Sequence, residues 1–406
     1  MDPASLSELG RWITEAGLAG KSETAMLDGF CRQAVAAGLP VARALVIIDT
    51  LHPVHEGRVA RWRSEGDEGR AELIEYGPSS EGEAAENWRR SPFFHLLESG
   101  GSQLRIRLAA GEAAEFPGVV ALQDEGMTDY LALITRFPAH GVIGEMDCVY
   151  SSWATDRPAG FDDAHIEALA GLMPSLALAV KCVSLVRIAG TLVETYLGRD
   201  AGQRVLRGLI RRGLAEKINA VLWYSDLREF TRITDRAAPE QIIPLLNDYA
   251  EAVISTIYDN RGDVLKLIGD GTLAIFTAPS PEEACRSAIA AHNGLQERIG
   301  QLNQRRTRDS LPTTYVYVGL HIGEVFYGNI GSDDRLDFTV VGPAVNEVAR
   351  IAAMCRSAER NVLLSQAFAD AAATLDRGRL VSVGRYALRG VERPQELFTL
   401  DPFWTA

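Results

Sequence analysis

The chain has 406 residues, 47% of them hydrophobic, enough for two or three domains at about 150 residues each. Its net charge of -13 argues against a nucleic-acid binder, which presents a basic face to phosphates. The charge is uneven: residues 1–200 carry 29 acidic and 17 basic side chains and the rest 25 and 24, so only the second half readily hosts a polyanion.

Leu6, Leu9, Trp12 and Ile13 recur at helical spacing, as do Met26, Phe30 and Val35 behind the capping-type Ser22. Between them, Gly20-Lys21-Ser22 looks like the end of a phosphate-binding loop. That motif needs glycine where Glu15 stands, and no strand precedes it, so a helix–helix turn is expected. Ala42–Asp49 is a short β-branched run of the buried-strand kind. Further strands are expected at Arg58–Trp62, Gln103–Arg107, Tyr130–Phe137 and Val142–Ser151, with polar Gly- and Glu-rich loops such as Ser64–Arg70 and Pro78–Glu86 between them. From about Asp162 the period turns helical, through Ile166, Leu169, Leu172, Leu176, Val180 and Ile188 to Tyr196, and leads into a turn-rich segment, Gly198–Gly213.

Ala168–Val180, the most apolar uncharged stretch, has 13 residues. A bilayer span takes about 20. The first residues lack the basic start and apolar core of a secretion signal, and the five cysteines form no C-x-x-C pair. A cytoplasmic protein with no membrane span and no nucleic-acid partner is expected.

This order of helix, strands, loops, strands and helix resembles a GAF-type sensor domain, although PAS-like and other sensor folds compete. Thr155-Asp156-Arg157-Pro158-Ala159-Gly160-Phe161 resembles the closing segment of such a domain. The resemblance implies a GAF-like α/β regulatory domain at 1–185 and a helical signalling linker at 186–213. Its regulatory ligand is unknown: a cyclic nucleotide, another small molecule, or none if the domain is only a dimer clamp.

In the second half, Ile218–Tyr224 reads as a buried strand followed by Ser225-Asp226-Leu227, which places a carboxylate at a strand end. A helix starts at Pro239 and ends at Gly262. Val264–Phe276 reads as a β-hairpin with Gly269-Asp270-Gly271 at its turn, a second carboxylate at a second strand end. Either aspartate alone suits a turn or cap. Two on adjacent strand ends suit a hard divalent cation, which wants carboxylate oxygens and leaves positions for water and phosphate.

Four ordered segments resemble class III nucleotidyl cyclases: Tyr224–Thr231, Lys266–Asp270, Val318–Val325 and Asp337–Arg350. The resemblance implies a ferredoxin-like catalytic domain at 214–406, within a chain of α+β class, that turns ATP into cyclic AMP with two Mg²⁺ or Mn²⁺ ions per site. It assigns Asp226 and Asp270, with the Leu227 carbonyl, to metal; Lys266 and Thr339 to the base; and Asn346 to the ribose. It gives Arg350 to the transition state and Arg389, with Arg335, to the terminal phosphates. It also implies a head-to-tail homodimer, one chain giving the metal aspartates and the other Lys266, Thr339, Asn346 and Arg350.

Lysine occurs only at 21, 181, 217 and 266. Lys266 only donates, which suits adenine N1, whereas guanine carries a donor there. Guanylate-specific members have Glu and Cys at the Lys266 and Thr339 positions. Guanylate cyclase and a catalytically silent nucleotide-binding module remain the alternatives. Departures from the family pattern are Tyr224 for Phe, Glu229 for Gly, Gly271-Thr272 for an acidic-aromatic pair, and Thr339 for Asp, the last resembling a subgroup often responsive to bicarbonate. His321 is expected to pack or hydrogen-bond within its strand. Cys285 and Cys355 are expected to be small hydrophobes on helices.

Overall fold

The computed structural model describes residues 2–64, 71–138, 143–372, 379–389 and 394–401. The chain divides into two compact units, 1–192 and 193–406.

The first unit opens with α1 (Pro3–Leu18), whose N-cap Asp2 accepts the N–H groups of Ala4 and Ser5, and α2 (Glu23–Ala36), capped by Ser22. Gly20-Lys21-Ser22 is the turn between them, as its missing glycine and missing strand predict. Then follow β1 (Arg43–Asp49), β2 (Gly57–Arg63), β3 (Ala71–Tyr76), α3 (Gly82–Arg89), α4 (Pro92–Glu98), β4 (Gln103–Ile106), α5 (Pro117–Asp124), β5 (Asp129–Arg136), β6 (Cys148–Thr155) and α6 (Asp163–Leu197). The strands form one antiparallel sheet in the order β3-β2-β1-β6-β5-β4.

Period-two alternation decides its two faces. On β1, Ala44, Val46 and Ile48 enter a core with Ile13, Phe30, Leu172 and Leu176, from α1, α2 and α6. The opposite face packs Phe93, Val119 and Tyr150 beneath α3, α4 and α5.

Pro78–Glu86 is not wholly loop, because α3 begins at Gly82; its Trp88 packs edge-on to Phe94 and Tyr150, a tertiary anchor that composition does not reveal. The strand expected from Val142 begins at Cys148, and Val142 itself lies outside the described residues, as do residues 65–70 of the expected Ser64–Arg70 loop. Strand β3 was hidden by Glu72 and Glu75 on its half-exposed edge. By length and composition α6 is apolar enough to cross a bilayer, which the 13-residue stretch alone did not suggest. Its Leu169, Leu172, Met173, Leu176 and Val180 are buried in the first unit's core.

The second unit contains α7 (Arg199–Leu206), β7 (Ala215–Leu227), α8 (Phe230–Thr234), α9 (Pro239–Asp259), β8 (Gly262–Ile268), β9 (Gly271–Phe276), α10 (Pro281–Arg308), β10 (Val316–Gly331), β11 (Leu336–Val341), α11 (Pro343–Ala358), β12 (Val362–Ser365), α12 (Gln366–Ala371), β13 (Leu380–Tyr386) and β14 (Gln395–Leu400). Helix α7 corrects the turn-rich reading of Gly198–Gly213: Ala201 is buried in a core cluster and the Arg199 guanidinium stacks 4.0 Å from the Tyr258 ring. The sheet runs β13-β14-β12-β10-β7-β9-β8, with β11 paired to β10. Within it, β7–α9–β8–β9–α10–β10 is a βαββαβ unit with strand order β10-β7-β9-β8.

Helices α9 and α10 cover one face around Trp223, Phe276 and Leu320. On the other, Phe338 and Val340 of β11 and Val348 of α11 pack on Leu222 and Leu273. Gly319 permits this approach: a Cβ there would stand 2.7 Å from the Val348 carbonyl oxygen and the Ala352 nitrogen, both backbone atoms.

Candidate active site

Strand β7 ends in Asp226 and Leu227, and the β8–β9 hairpin turns through Gly269-Asp270. Antiparallel pairing of β7 with β9, Ser225 opposite Thr272, brings the two ends together. The carboxyl groups of Asp226 and Asp270 lie close enough to act on each other directly, and the Leu227 N–H donates to Asp270 Oδ2 at 3.3 Å. Burial first, then the Asp270 carboxylate, push Asp226 up to about 7. Two like charges this close do not both ionise freely, and a cation between them removes the conflict.

Among the described residues no three His, Cys, Asp or Glu side chains converge on one point. Two carboxylates and the neighbouring Leu227 carbonyl suit an ion that keeps several positions for water and phosphate, as Mg²⁺ does. A cavity of about 210 Å³, walled by Leu227, Asp270, Thr272 and Tyr249, adjoins the pair. It is smaller than the roughly 300–1,000 Å³ that enclose a drug-sized ligand.

Lys266 lies on β8 beside a bulge, half-exposed, and its Nζ forms an ion pair with the Asp337 carboxylate of β11. Phe338 and Val340 point inward, so alternation turns Asp337 and Thr339 together to the other face of β11. The structure thus gathers Lys266 and Asp337 directly and aligns Thr339 with them. Asp337 is the residue that sequence reading passed over; the signal was its offset of two from Thr339.

On α11, Ala344, Val348, Ile351, Ala352 and Cys355 are buried. Asn346 and Arg350, four apart, share a different face, and neither makes a side-chain hydrogen bond or ion pair among the described residues. Arg389 is exposed next to Leu388, which is buried with Ile351 and Cys355 of α11; Gly390 of that motif lies outside the described residues. Arg335 is exposed in the loop between β10 and β11, its N–H donating to Ser332 Oγ.

Glu229 holds φ at +55°, a left-handed position that glycine occupies without strain, and this accounts for the family's glycine there. His321 hydrogen-bonds Ser365 Oγ through Nδ1 at 2.8 Å, so it bridges from β10 to the end of β12 rather than acting within its own strand alone. Cys285 and Cys355 are buried on α10 and α11, as small hydrophobes would be.

Residues 215–401 match the family model of the adenylate and guanylate cyclase catalytic domain. They belong to that family. This domain is therefore a class III nucleotidyl cyclase domain. An uncharacterised protein of Mycobacterium tuberculosis is 30% identical over 207 residues, covering 50% of this chain and 36% of its own length. Adenylate cyclase 1 of Rhizobium meliloti is 27% identical over 177 residues, covering 40% of this chain and 26% of its own. The chain thus spans well under half the length of these curated relatives. Among solved structures, the adenylyl cyclase CyaB from P. aeruginosa covers 46% of this chain and 96% of its own at 22% identity and a TM-score of 0.42. The guanylyl cyclase Cya2 covers 47% and 96% at 27% identity and 0.41.

Proposed function

We propose that the chain is an adenylate cyclase that forms 3′,5′-cyclic AMP and pyrophosphate from ATP at the interface of a homodimer, under the control of its first unit. The observation that carries the reading is the Asp226–Asp270 pair inside a cyclase domain, two neighbouring carboxyls whose like charges a cation between them would stabilise. Mg²⁺ or Mn²⁺ bound by these aspartates and the Leu227 carbonyl would acidify the ribose 3′-hydroxyl and neutralise the triphosphate. The 3′-oxygen then bonds to the α-phosphorus, its proton leaves, and the bond to pyrophosphate breaks.

The chain's own side chains do the rest. Lys266 donates to adenine N1, oriented by Asp337, with Thr339 at the base's exocyclic group. Asn346 orients the ribose. Arg350 aims a fixed fork of N–H groups at the charge that develops on the phosphate, and Arg389 with Arg335 binds the terminal phosphates.

Two features support a dimer. Asn346 and Arg350 lie on a face of α11 without side-chain partners among the described residues, and the cavity beside the aspartates is too small for a nucleotide. Leu267, Ile268, Phe326, Ile330 and Val341 are 40–55% exposed, a set of apolar side chains that a second copy would cover.

The test is incubation of the purified chain with ATP or GTP and Mg²⁺ or Mn²⁺, followed by identification of the product. Cyclic AMP from ATP is expected. Cyclic GMP alone would make it a guanylate cyclase, and no product from either would leave a nucleotide-binding module.

A further inference from the structure

The first unit carries an open cavity of about 1000 Å³ that the cyclase reading leaves unused. It arises from the alternation on β1. Ala44, Val46 and Ile48 fill the helical core, while Leu45, Ile47 and Asp49 turn to the opposite face and stay half-buried. The helices over that face, α3 and α4, are only 8 and 7 residues long and leave space above the strands.

Two kinds of side chain build the wall. Trp88, Phe93 and Tyr150 form an aromatic cluster, with Tyr150 edge-on to Trp88 and tilted against Phe93, both at 5.4 Å between ring centres. Facing them, Asp49, Glu56, Glu145 and Asp147 bring four carboxyl groups against one basic side chain, Arg61, among the described lining residues. Two of the carboxyls are held in place: the Tyr76 hydroxyl donates to Asp49 at 2.7 Å, and Ser79 donates its N–H and hydroxyl to Glu56.

We propose that this cavity binds a small organic cation, an ammonium or amidinium on an apolar body, with the charge held by Asp49 and by the rings of Trp88, Phe93 and Tyr150. Aromatic faces attract such cations and carboxylates neutralise them, and the volume fits a ligand of drug-like size. A phosphate-bearing ligand would meet four carboxyls and a single arginine, so the same wall repels a cyclic nucleotide. Burial, then Glu56, Asp147 and Glu145, push Asp49 up to about 6 even though Tyr76 pulls it down, as expected of an acid short of counter-charge.

Calorimetric titration of the full chain with choline, with its neutral isostere dimethylbutanol and with cyclic AMP tests the proposal. Binding is read directly, so the result stands whether or not the cyclase reading holds. Choline is expected to bind about tenfold or more tightly than dimethylbutanol, and cyclic AMP is expected not to displace it. Replacing Glu145→Gln and Asp147→Asn together, both exposed positions, is expected to weaken choline about tenfold without changing the melting temperature. Trp88→Leu should weaken it comparably. Equal affinity for choline and dimethylbutanol, no choline binding at millimolar concentration, or folded variants that bind like the unsubstituted chain would each overturn the proposal.

Discussion

Both units gather carboxyl groups at the end of a strand, yet they surround them differently. At the end of β1, Asp49 has a hydroxyl donor in Tyr76, aromatic neighbours and a large cavity. At the end of β7, Asp226 has another carboxyl as its nearest partner and a backbone N–H beside it, with only a small cavity adjoining. Burial heads the causes in both and raises the pKa to about 6 and about 7. The same electrostatic problem therefore has two natural solutions. Bare oxygens in close pairs suit a hard metal ion, while carboxyls beside ring faces suit a soft organic cation.

The largest effect that would break this comparison is in catalysis. Asp226→Ala and Arg350→Ala are each expected to lower cyclic-nucleotide formation by about 10²–10³-fold or more. Mixing the two inactive chains should recover up to about a quarter of the intact sites, because each heterodimer keeps one. An inactive mixture with heterodimers present would remove the shared-site model.

Stability provides the next test. An acid whose folded pKa exceeds its unfolded value destabilises the fold as pH rises from the unfolded pKa through the folded one. For Asp49 that window runs from 3.8 to about 6. Asp49→Asn is thus expected to stabilise the first unit by about 1–3 kcal/mol at pH 7 and hardly at all below pH 3.8, as followed by denaturant unfolding at the two pH values. For the second unit, Mg²⁺ or Mn²⁺ should raise the melting temperature of the native chain and much less that of Asp226→Asn. If choline stabilised the second unit or metal the first, the division between the two sites would be wrong.

Smaller effects sharpen the picture inside the cyclase domain. The Lys266–Asp337 pair is exposed, so Asp337→Asn should cost no more than about 1 kcal/mol, seen as a severalfold higher KM for ATP with kcat little changed. A fall in kcat at constant KM would show that Asp337 does not act through the base. Glu229→Gly should relieve the left-handed strain and stabilise the second unit by under about 1 kcal/mol, a change measurable by denaturant unfolding.

How much of this was legible differs by region. In the second half, Asp226 and Asp270 could be read because each sits at a strand end marked by hydrophobic pattern and glycine, so local signals fixed their setting. Lys266 was legible through its resemblance to the family's base-reading position, to which the rarity of lysine added weight. Asp337 was not, since its importance comes from a contact 71 residues away in sequence. In the first half the helices and β1 had clear periods. Helix α3 did not, because Trp88 anchors it on Tyr150 from another strand, and β3 was masked by its glutamates.

The sequence by itself determined the periodic elements and the chemistry available at each strand end, because hydrophobic spacing and turn residues act over a few positions. Only the tertiary structure decided which groups meet. It joined Asp226 to Asp270 and Lys266 to Asp337, turned Asn346 and Arg350 away from the buried face of α11, and opened an acidic, aromatic cavity over β1. Burial and long-range contact set those pairings and shift their charges, and neither is written in the local order of residues.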